Sequence, residues 1–325
     1  MDGGQECVDV LMSVSQVEKH RAATITGSLF LLGNILSWAA VPVLLRYLTG
    51  SIDAWTANGV RYPLGAILYL PILVVAWRTG ELSGDMLRRC LVPSLLALGG
   101  QVLWGLTPYY LPAGTIGFLL RFSLVFSLAG AVLLFPDERQ LLKQVSFYTG
   151  LILSIVGFLL LSASKIQTDA EVTVAGILIA FACSLFYGFY GVSVRYFLLR
   201  TNPLVSSGVV STFVSIGTVI MMFWIGDYGA LVRVSGSDWL VILASSVVGI
   251  TLGHYFLYSA VPLLGAAVTS GAQTLTPFAT IVLATWLLRE SMTAVEWIAG
   301  LMMVVGAAIL ILAHYRISTA ADTVG

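Results

Sequence analysis

Arg61, Arg121 and His254 are ionisable side chains that lie within long apolar stretches of the sequence. A charged side chain at the centre of a bilayer costs about 2.5–3.5 kcal/mol on insertion scales, so such residues usually face a cavity or a partner. Arg121 lies near the middle of its stretch, and that stretch contains no acidic residue that could pair with it. We predict that its planar guanidinium receives a carboxylate or phosphate of a bound solute. The alternative is that it extends to the outer interface or bonds helix carbonyls.

The other two ionisable residues allow more than one interpretation. Arg61 lies close to the outer end of its stretch, so it can contact a solute, hold helices together or extend to the interface. His254 lies well inside its stretch, whereas His314 ends the last one. It either carries a proton or contacts a solute, or it is a hydrogen-bonded packing residue. We include both residues in the predicted site.

Polar and aromatic residues recur at helical spacing in four of the apolar stretches. Each set follows the i, i+3, i+4, i+7 pattern that places side chains along one face of a helix. We predict that the four sets line one cavity, although small and aromatic residues also pack helices against each other. The sets are Asn34, Ser37, Trp38 and Val41; Cys183, Phe186, Tyr187 and Tyr190; Gln101, Trp104, Gly105 and Pro108; and Thr251, His254, Tyr255 and Tyr258.

The composition requires that the elements holding these residues lie in a membrane. The chain has 325 residues, of which 58% are hydrophobic and 10% are charged, with a mean hydropathy of +0.95. An average soluble domain is about 25% charged, which excludes a soluble enzyme of this length. The hydrophobicity excludes disorder. Zero net charge and three cysteines argue against a nucleic-acid partner and a disulfide scaffold.

The apolar stretches have the length of transmembrane helices. A helix needs about 20 apolar residues to cross a hydrocarbon core of about 30 Å. Only helices and closed barrels satisfy backbone hydrogen bonds in lipid, and continuous runs favour helices over alternating strands. We predict an all-α membrane protein with ten transmembrane helices, at about residues 24–45, 54–77, 91–111, 112–135, 145–163, 174–194, 204–225, 239–261, 263–288 and 292–314.

Lysine and arginine residues in the short loops predict the orientation. With the N-terminus in the cytoplasm, ten basic residues lie on the inner side and four on the outer side. Residues 1–23 are then a cytoplasmic N-terminal segment, and residues 315–325 a cytoplasmic tail. No apolar core precedes Arg21, so the sequence predicts no cleaved signal peptide. We expect a multi-pass protein of the cytoplasmic (inner) membrane.

The sequence contains an internal repeat. A shift of 149 residues aligns residues 27–48 with 176–197 without a gap. Identical or aromatic pairs in this alignment include Arg46 with Arg195 and Trp38 with Tyr187.

The second halves of the two copies also agree. Glu138 and Glu290 each follow an apolar helix and precede a helix with two glycines, and Arg121 aligns with Gln273. We predict five-helix repeats over 24–163 and 174–314. Because five is odd, the second copy must be inverted, and inverted repeats are typical of alternating access around a site near the midplane.

These motifs resemble those of the EamA-type transporters of the drug/metabolite transporter superfamily. Leu-Leu-Arg-Glu290, followed by Gly300 and Gly306, is similar to the final signature of that family, and Phe-Pro-Asp-Glu138 with Gly150 is similar to its first-half copy. Further elements that match are Ser37-Trp38-Ala39, Arg61 and Pro277; the departures are Ala39 and Val125, where glycine and proline are usual. The resemblance covers residues 24–314. It implies a ten-helix inverted-repeat carrier of small metabolites, often amino acids, that commonly works as an exporter.

The residues and the resemblance together predict a secondary transporter that exports amino acids or related small organic metabolites through a central cavity. The aromatic sets and Arg121 favour a zwitterionic or anionic solute with an apolar part. A carrier of drugs, nucleotide-conjugated or lipid-linked substrates stays open, as do an intramembrane enzyme and a channel.

No nucleotide, metal or cofactor motif occurs in the sequence in a plausible context. The expected partners are therefore the solute and the lipid bilayer, without nucleic acid. Ten helices can close a cavity within a monomer. The predicted binding residues are Asn34, Trp38, Arg61, Gln101, Trp104, Arg121, Tyr187, Tyr190, Thr251, His254, Tyr255, Tyr258 and Gln273.

Overall fold

The computed structural model describes residues 3–48, 50–107, 110, 119–165, 173–288 and 292–322. Over these ranges the regular elements are helices, which confirms the predicted all-α class for the described residues. The helices are α1 (Gly3–Leu48), α2 (Ala54–Ile67), α3 (Leu70–Arg78), α4 (Gly84–Leu106), α5 (Phe122–Leu134), α6 (Val145–Lys165), α7 (Val174–Leu198), α8 (Pro203–Ile225), α9 (Gly236–Leu264), α10 (Ala266–Ala272), α11 (Thr276–Leu288) and α12 (Ala294–Asp322). Within α9, Ser246–Leu252 form a π-helical segment.

Seven of the described helices are long and apolar enough to cross a membrane. An eighth candidate is the pair α2 and α3, which meet at a bend of 47°. The chain is therefore a multi-pass helical membrane protein, while the count of ten transmembrane helices stays a prediction. The seven helices are α1 over Glu18–Leu45, α4, α6 over Val145–Ala163, α7, α8, α9 and α12 over Ala294–Ile317.

Two predicted spans are not continuous helices. Residues 54–77 bend between α2 and α3, and residues 263–288 contain a 3₁₀ turn at Gln273–Leu275 between α10 and α11. Pro277 lies in the first turn of α11, where its missing N–H would have no helical acceptor in any case.

Other predicted boundaries were also displaced. Helix α9 continues through Pro262 to Leu264, and the turn falls at Gly265, whose φ of +81° favours glycine. Helix α1 begins at Gly3, within the segment 1–23 that precedes the first predicted span. Part of the predicted span 112–135 lies outside the described residues, and its described helix α5 begins at Phe122.

Equivalent caps begin the second helix of each repeat. The Asp53 side chain accepts hydrogen bonds from the backbone N–H groups of Trp55 (2.9 Å) and Thr56 (3.0 Å) at the start of α2. Asn202 accepts one from Leu204 N–H (3.0 Å) at the start of α8. Such caps satisfy the first N–H groups of a helix, which have no partner within it. The two caps are 149 residues apart, the same shift as in the sequence alignment.

The most extensive helix contacts join one repeat to the other. Helix α1 packs on α9 and α4 packs on α7, and each of these pairs is the repeat-related counterpart of the other. The remaining large contacts, α2 with α8 and α6 with α12, join equivalent helices of the two repeats. The two repeats thus form one bundle around the interface between them.

Glycines allow α6 and α12 to approach closely. A Cβ added to Gly306 would lie 2.7 Å from the Gly150 carbonyl oxygen, and a Cβ added to Gly157 would lie 2.7 Å from the Ala299 carbonyl oxygen. Small residues at this spacing are the usual basis of close helix packing in membranes. Gly150, Gly157 and Gly306 therefore lie at a contact between the two repeats that is outside the cavity lining.

Candidate functional site

A cavity of about 280 Å³ lies between the repeats and is lined by side chains of both. Its walls come from α1, α2, α4, α7 and α9, together with the start of α5 and the broken segment around residues 269–276. Nine of the thirteen predicted binding residues line it, namely Trp38, Arg61, Gln101, Trp104, Arg121, Tyr187, Tyr190, His254 and Gln273. Lining residues that were not predicted include Tyr62, Ser123, Leu257, Thr269, Ser270, Thr274 and Thr276.

The other four predicted residues make helix contacts instead of lining the cavity. Asn34 Nδ2 donates to the Gly253 carbonyl (2.9 Å), and Thr251 Oγ1 donates to the Gly65 carbonyl (3.0 Å). Tyr255 packs edge-on against Phe30, with ring centroids 5.8 Å apart. Tyr258 is buried, and its hydroxyl accepts from Tyr190 (3.1 Å). The fourth set of the sequence pattern therefore contributes only His254 to the cavity.

Helix α9 faces the cavity with His254, Leu257 and Val261, which form an i, i+3, i+7 set. Thr251 lies inside the π-helical segment, while His254, Tyr255 and Tyr258 follow it in regular α-helix. Tyr255 and Tyr258 therefore lie beside the cavity face of α9, a difference that the sequence spacing did not distinguish.

Side chains of the first repeat bind the backbone carbonyls in and beside the π-helical segment. Trp38 Nε1 donates to the Gly249 carbonyl (3.2 Å), Arg61 Nη2 donates to the Ser245 carbonyl (3.3 Å), and the Tyr69 hydroxyl donates to the Thr251 carbonyl. A segment that departs from α-helical bonding leaves carbonyls in need of such partners. These contacts hold the irregular part of α9 against α1, α2 and the bend before α3.

Arg61 is buried, and each of its three guanidinium nitrogens donates to a protein acceptor. In addition to the Ser245 carbonyl, its Nε donates to Ser245 Oγ (2.8 Å) and its Nη1 donates to Asn58 Oδ1 (3.0 Å). The interpretation that it extends to the interface is wrong, because its side chain is only 3% exposed. Arg61 contributes positive charge to the cavity wall while it holds α2 to α9.

Arg121 has few partners and lies at the start of α5. Its Nη1 makes one long hydrogen bond, 3.4 Å, to the Gln273 carbonyl, and its Cζ lies 5.6 Å from the centre of the Phe158 ring. Arg121 Nε and Thr276 Oγ1 are both buried without a hydrogen-bond partner among the described residues. Both residues line the cavity, and their unpartnered atoms are exceptions to the rule that buried polar groups are satisfied.

Gln101 joins three helices at the cavity wall. Its amide nitrogen donates to the Tyr62 hydroxyl, and its amide oxygen accepts from the Tyr187 hydroxyl (2.6 Å). Tyr187 packs directly over Gly100, since a Cβ at that position would lie 2.8 Å from the Tyr187 ring. Tyr62, which sequence reasoning missed, is recognisable only as the neighbour of Arg61 and the partner of Gln101.

His254 lies among aromatic rings, and one of its nitrogens is already bonded. Its Nδ1 lies 2.9 Å from the Ile250 carbonyl oxygen; because a carbonyl only accepts, we assign the proton to Nδ1, which leaves Nε2 as an acceptor. Its ring makes edge contacts with Trp38, Tyr62 and Tyr190 at centroid distances of 5.9–6.4 Å. The histidine thus offers the cavity an acceptor within an aromatic wall.

The structure also contains a buried ion pair that sequence reasoning missed. Arg195, predicted to lie in a cytoplasmic loop, belongs to α7 and is buried beside Glu138 and Asp137. The Glu138 carboxylate, 3% exposed, also accepts from Ala266 N–H and Ala267 N–H (2.8 Å each) at the start of α10. Acidic side chains therefore occur in the protein interior: Glu138 lies outside the predicted spans, and Glu296, which is also buried, lies within the span 292–314.

A signal for this pair existed in the repeat, because Glu138 and Arg195 both have aligned counterparts, Glu290 and Arg46. Glu290 and the side chain of Arg46 lie outside the described residues.

The helical bundle and its cavity define a multi-pass membrane protein with a solute-sized site between two related halves. The EamA-like transporter family matches the chain twice, over residues 25–163 and 174–312. The chain therefore belongs to the EamA-like transporter family and carries two EamA repeats.

Two comparisons agree with this family. The chain is 20% identical over 274 residues to an uncharacterized transporter of Haemophilus influenzae, covering 81% of this chain and 90% of that protein. It also resembles a protein of known crystal structure with a TM-score of 0.73 and 16% identity, covering 88% of this chain and 97% of that one. The second likeness concerns the fold alone.

Proposed function

We propose that this transporter is a secondary carrier that exports amino acids or related small organic metabolites by alternating access. The observation that carries the proposal is the position of the cavity between the two repeats, with wall residues from equivalent helices of both. Trp38 corresponds in the repeat to Tyr187, and Trp104 to His254. A site shared by two inverted halves can open to either side when one half moves against the other.

The proposed carrier has ten spans with both termini in the cytoplasm. Helix α5 is a shorter apolar helix, and adding it and the α10–α11 pair to the eight candidates makes ten. The distribution of ten basic residues inside and four outside supports this orientation and the cytoplasmic membrane. A cavity lined by one chain supports a monomer that binds only solute and lipid.

The lining supports a solute with a polar head and an apolar part. Arg121, Gln101 and His254 offer polar contacts, whereas Trp38 and Trp104 provide large apolar surfaces. Sites for small molecules commonly combine a mainly apolar lining with a few placed polar groups. The Arg121 fork would orient the head, and the aromatic rings would contact the body of the solute.

Counterflow in proteoliposomes tests the proposal. Purified protein would be reconstituted with a panel of unlabelled amino acids and organic metabolites inside, and uptake of each labelled solute would be followed. We expect saturable counterflow for at least one member of the panel. Its complete absence with folded, correctly inserted protein would contradict a carrier and favour a channel.

A pair of tryptophan variants localises the activity. Trp104→Ala removes a cavity wall, and we expect it to lower counterflow at least tenfold. The matched control is Trp224→Ala on α8, because Trp224 is 77% exposed and does not line the cavity. Equal effects of the two substitutions would contradict the assignment of this cavity as the transport site.

A further inference from the structure

We propose that the cavity selects an organic monoanion over a zwitterion, and that the membrane potential drives its efflux without a coupled proton. This inference rests on the proposed function, and it narrows the substrate class and names the driving force. It comes from the charges that line the cavity and from the hydrogen bonds that each of them already makes.

Arg121 is the cation of the described wall that has few protein partners. Arg61 and Arg121 both line the cavity, but the Nε, Nη1 and Nη2 atoms of Arg61 each donate to Ser245 or Asn58, which uses three of its five N–H groups. Arg121 has only the long bond to the Gln273 carbonyl, and its Nε has no partner among the described residues. A carboxylate or sulfonate bound at the Arg121 guanidinium would pair with this charge.

The described wall offers an ammonium group neutral acceptors, such as His254 Nε2, but no carboxylate. No aspartate or glutamate belongs to the described lining, and residues 108–118 contain no acidic residue in their sequence. The carboxylate of Glu138, which is buried elsewhere, is bonded to Arg195, Ala266 and Ala267. The aromatic rings could attract an ammonium weakly, but the α-ammonium of an amino acid bound through its carboxylate would lie close to the like charge of Arg121. The wall therefore favours an anion that lacks an ammonium.

The remaining wall suits an apolar or aromatic body. Trp38, Trp104, Tyr190 and Leu257 line the cavity, and aromatic contacts between offset or perpendicular rings are favourable. The Nε2 atom of His254 lies within this wall as an acceptor. The combination describes a small aromatic or apolar acid with one negative charge.

The charge of the site determines what drives transport. A bound monoanion compensates the Arg121 charge, and one net negative charge then leaves the cell in each cycle. An inside-negative potential favours this direction by about 50-fold in the concentration ratio for each 100 mV. The described lining contains no carboxylate that must be neutralised before a cycle, and a permanently charged anion brings no proton of its own. A proton taken up at His254 Nε2 would appear as a dependence of the flux on the pH gradient.

Three matched solutes test the selectivity: 3-phenylpropionate, phenylalanine and phenethylamine share one body and carry an anion, a zwitterion and a cation. Binding to the purified protein would be measured by calorimetry. We expect 3-phenylpropionate to bind at least tenfold more tightly than phenylalanine, and phenethylamine not to bind. Arg121→Gln should abolish this preference, whereas the matched control Arg233→Gln, at a side chain that is 72% exposed, should keep it. Equal or tighter binding of phenylalanine would overturn the monoanion assignment.

Potential-driven flux tests the driving force separately. Benzenesulfonate, which keeps its negative charge at every working pH, would be loaded into proteoliposomes, and a potassium gradient with valinomycin would set the potential. We expect net efflux under an inside-negative potential, with no response to a pH gradient. A dependence on the pH gradient, or indifference to the potential, would overturn the electrogenic mechanism. Counterflow itself moves no net charge, so the proposed function would stand if counterflow persisted while either test failed.

Discussion

Replacing Glu138 with glutamine should destabilise the junction between α5, α7 and α10. The carboxylate pairs with Arg195 and accepts two 2.8 Å hydrogen bonds from the first N–H groups of α10. Glutamine keeps the shape and one acceptor oxygen, but it leaves the buried Arg195 with only the 61% exposed Asp137 carboxylate as a charge partner. Removing one partner of a buried ion pair costs about 3–5 kcal/mol. We expect Glu138→Gln to lower the free energy of unfolding by about this amount.

Unfolding of purified protein by SDS in mixed micelles, followed by tryptophan fluorescence, measures this change. Asp137→Asn is the matched control, because Asp137 contacts the same arginine but is 61% exposed, and we expect a cost of about 0–1 kcal/mol. The double variant Glu138→Leu with Arg195→Leu should recover part of the loss, since apolar residues often replace a buried pair at little cost. A loss below about 1 kcal/mol for Glu138→Gln would refute the assignment of this pair as a structural junction.

Three further predictions concern other junctions. Asp53→Ala should cost about 1 kcal/mol through loss of the α2 cap, and unfolding at several pH values checks it. Burial raises the pKa of the Asp53 carboxyl, but the hydrogen bonds from Thr56, Asp227 and Trp55 outweigh burial and lower this pKa. The stability difference between wild type and variant should therefore be present at neutral pH and disappear as the pH falls through the lowered pKa. A constant difference down to pH about 2 would argue against this cap. Gly306→Ala should destabilise the α6–α12 contact by about 1–3 kcal/mol in the same assay, unlike Gly84→Ala, where a Cβ meets nothing within 4 Å; equal effects would contradict close packing at Gly306. Arg61→Lys should cost about 1–3 kcal/mol, because one ammonium cannot reach both Asn58 and Ser245 as the fork does, and a neutral result relative to Arg233→Lys would show that the fork is dispensable.

Much of the cavity was predictable because its residues are unusual for a membrane interior. Arg121, His254 and Gln101 carry polar groups that lipid would penalise, so their placement in the protein interior follows from composition and position. The aromatic residues Trp38 and Tyr187 were found because the repeat pairs them. Tyr62 and Thr276 escaped because tyrosine and threonine are tolerated on many faces of a membrane helix.

The spacing of residues along α9 did not identify which side of the helix faces the cavity. His254, Leu257 and Val261 line it, so Tyr255 and Tyr258 contact other helices. The bend between α2 and α3 and the turn at Gln273–Leu275 interrupt spans that a hydropathy pattern shows as continuous. Such irregular turns depend on partners from other helices, for example the Trp38 donor to the Gly249 carbonyl.

The sequence by itself determined that the chain is a helical membrane protein made of two related halves. Long apolar runs have few stable forms in lipid, because each backbone polar group must be satisfied within the segment. Only the tertiary structure decided which charges are available to a solute. Arg61 and Arg121 are both arginines within predicted spans. Ser245, which is 184 residues from Arg61, accepts a hydrogen bond from Arg61, whereas Arg121 Nε has no partner among the described residues. The sequence predicts Arg195 in a loop, whereas the structure buries it beside Glu138, which is distant in sequence. Contacts of this kind depend on how helices meet, which the periodicity of one helix does not specify.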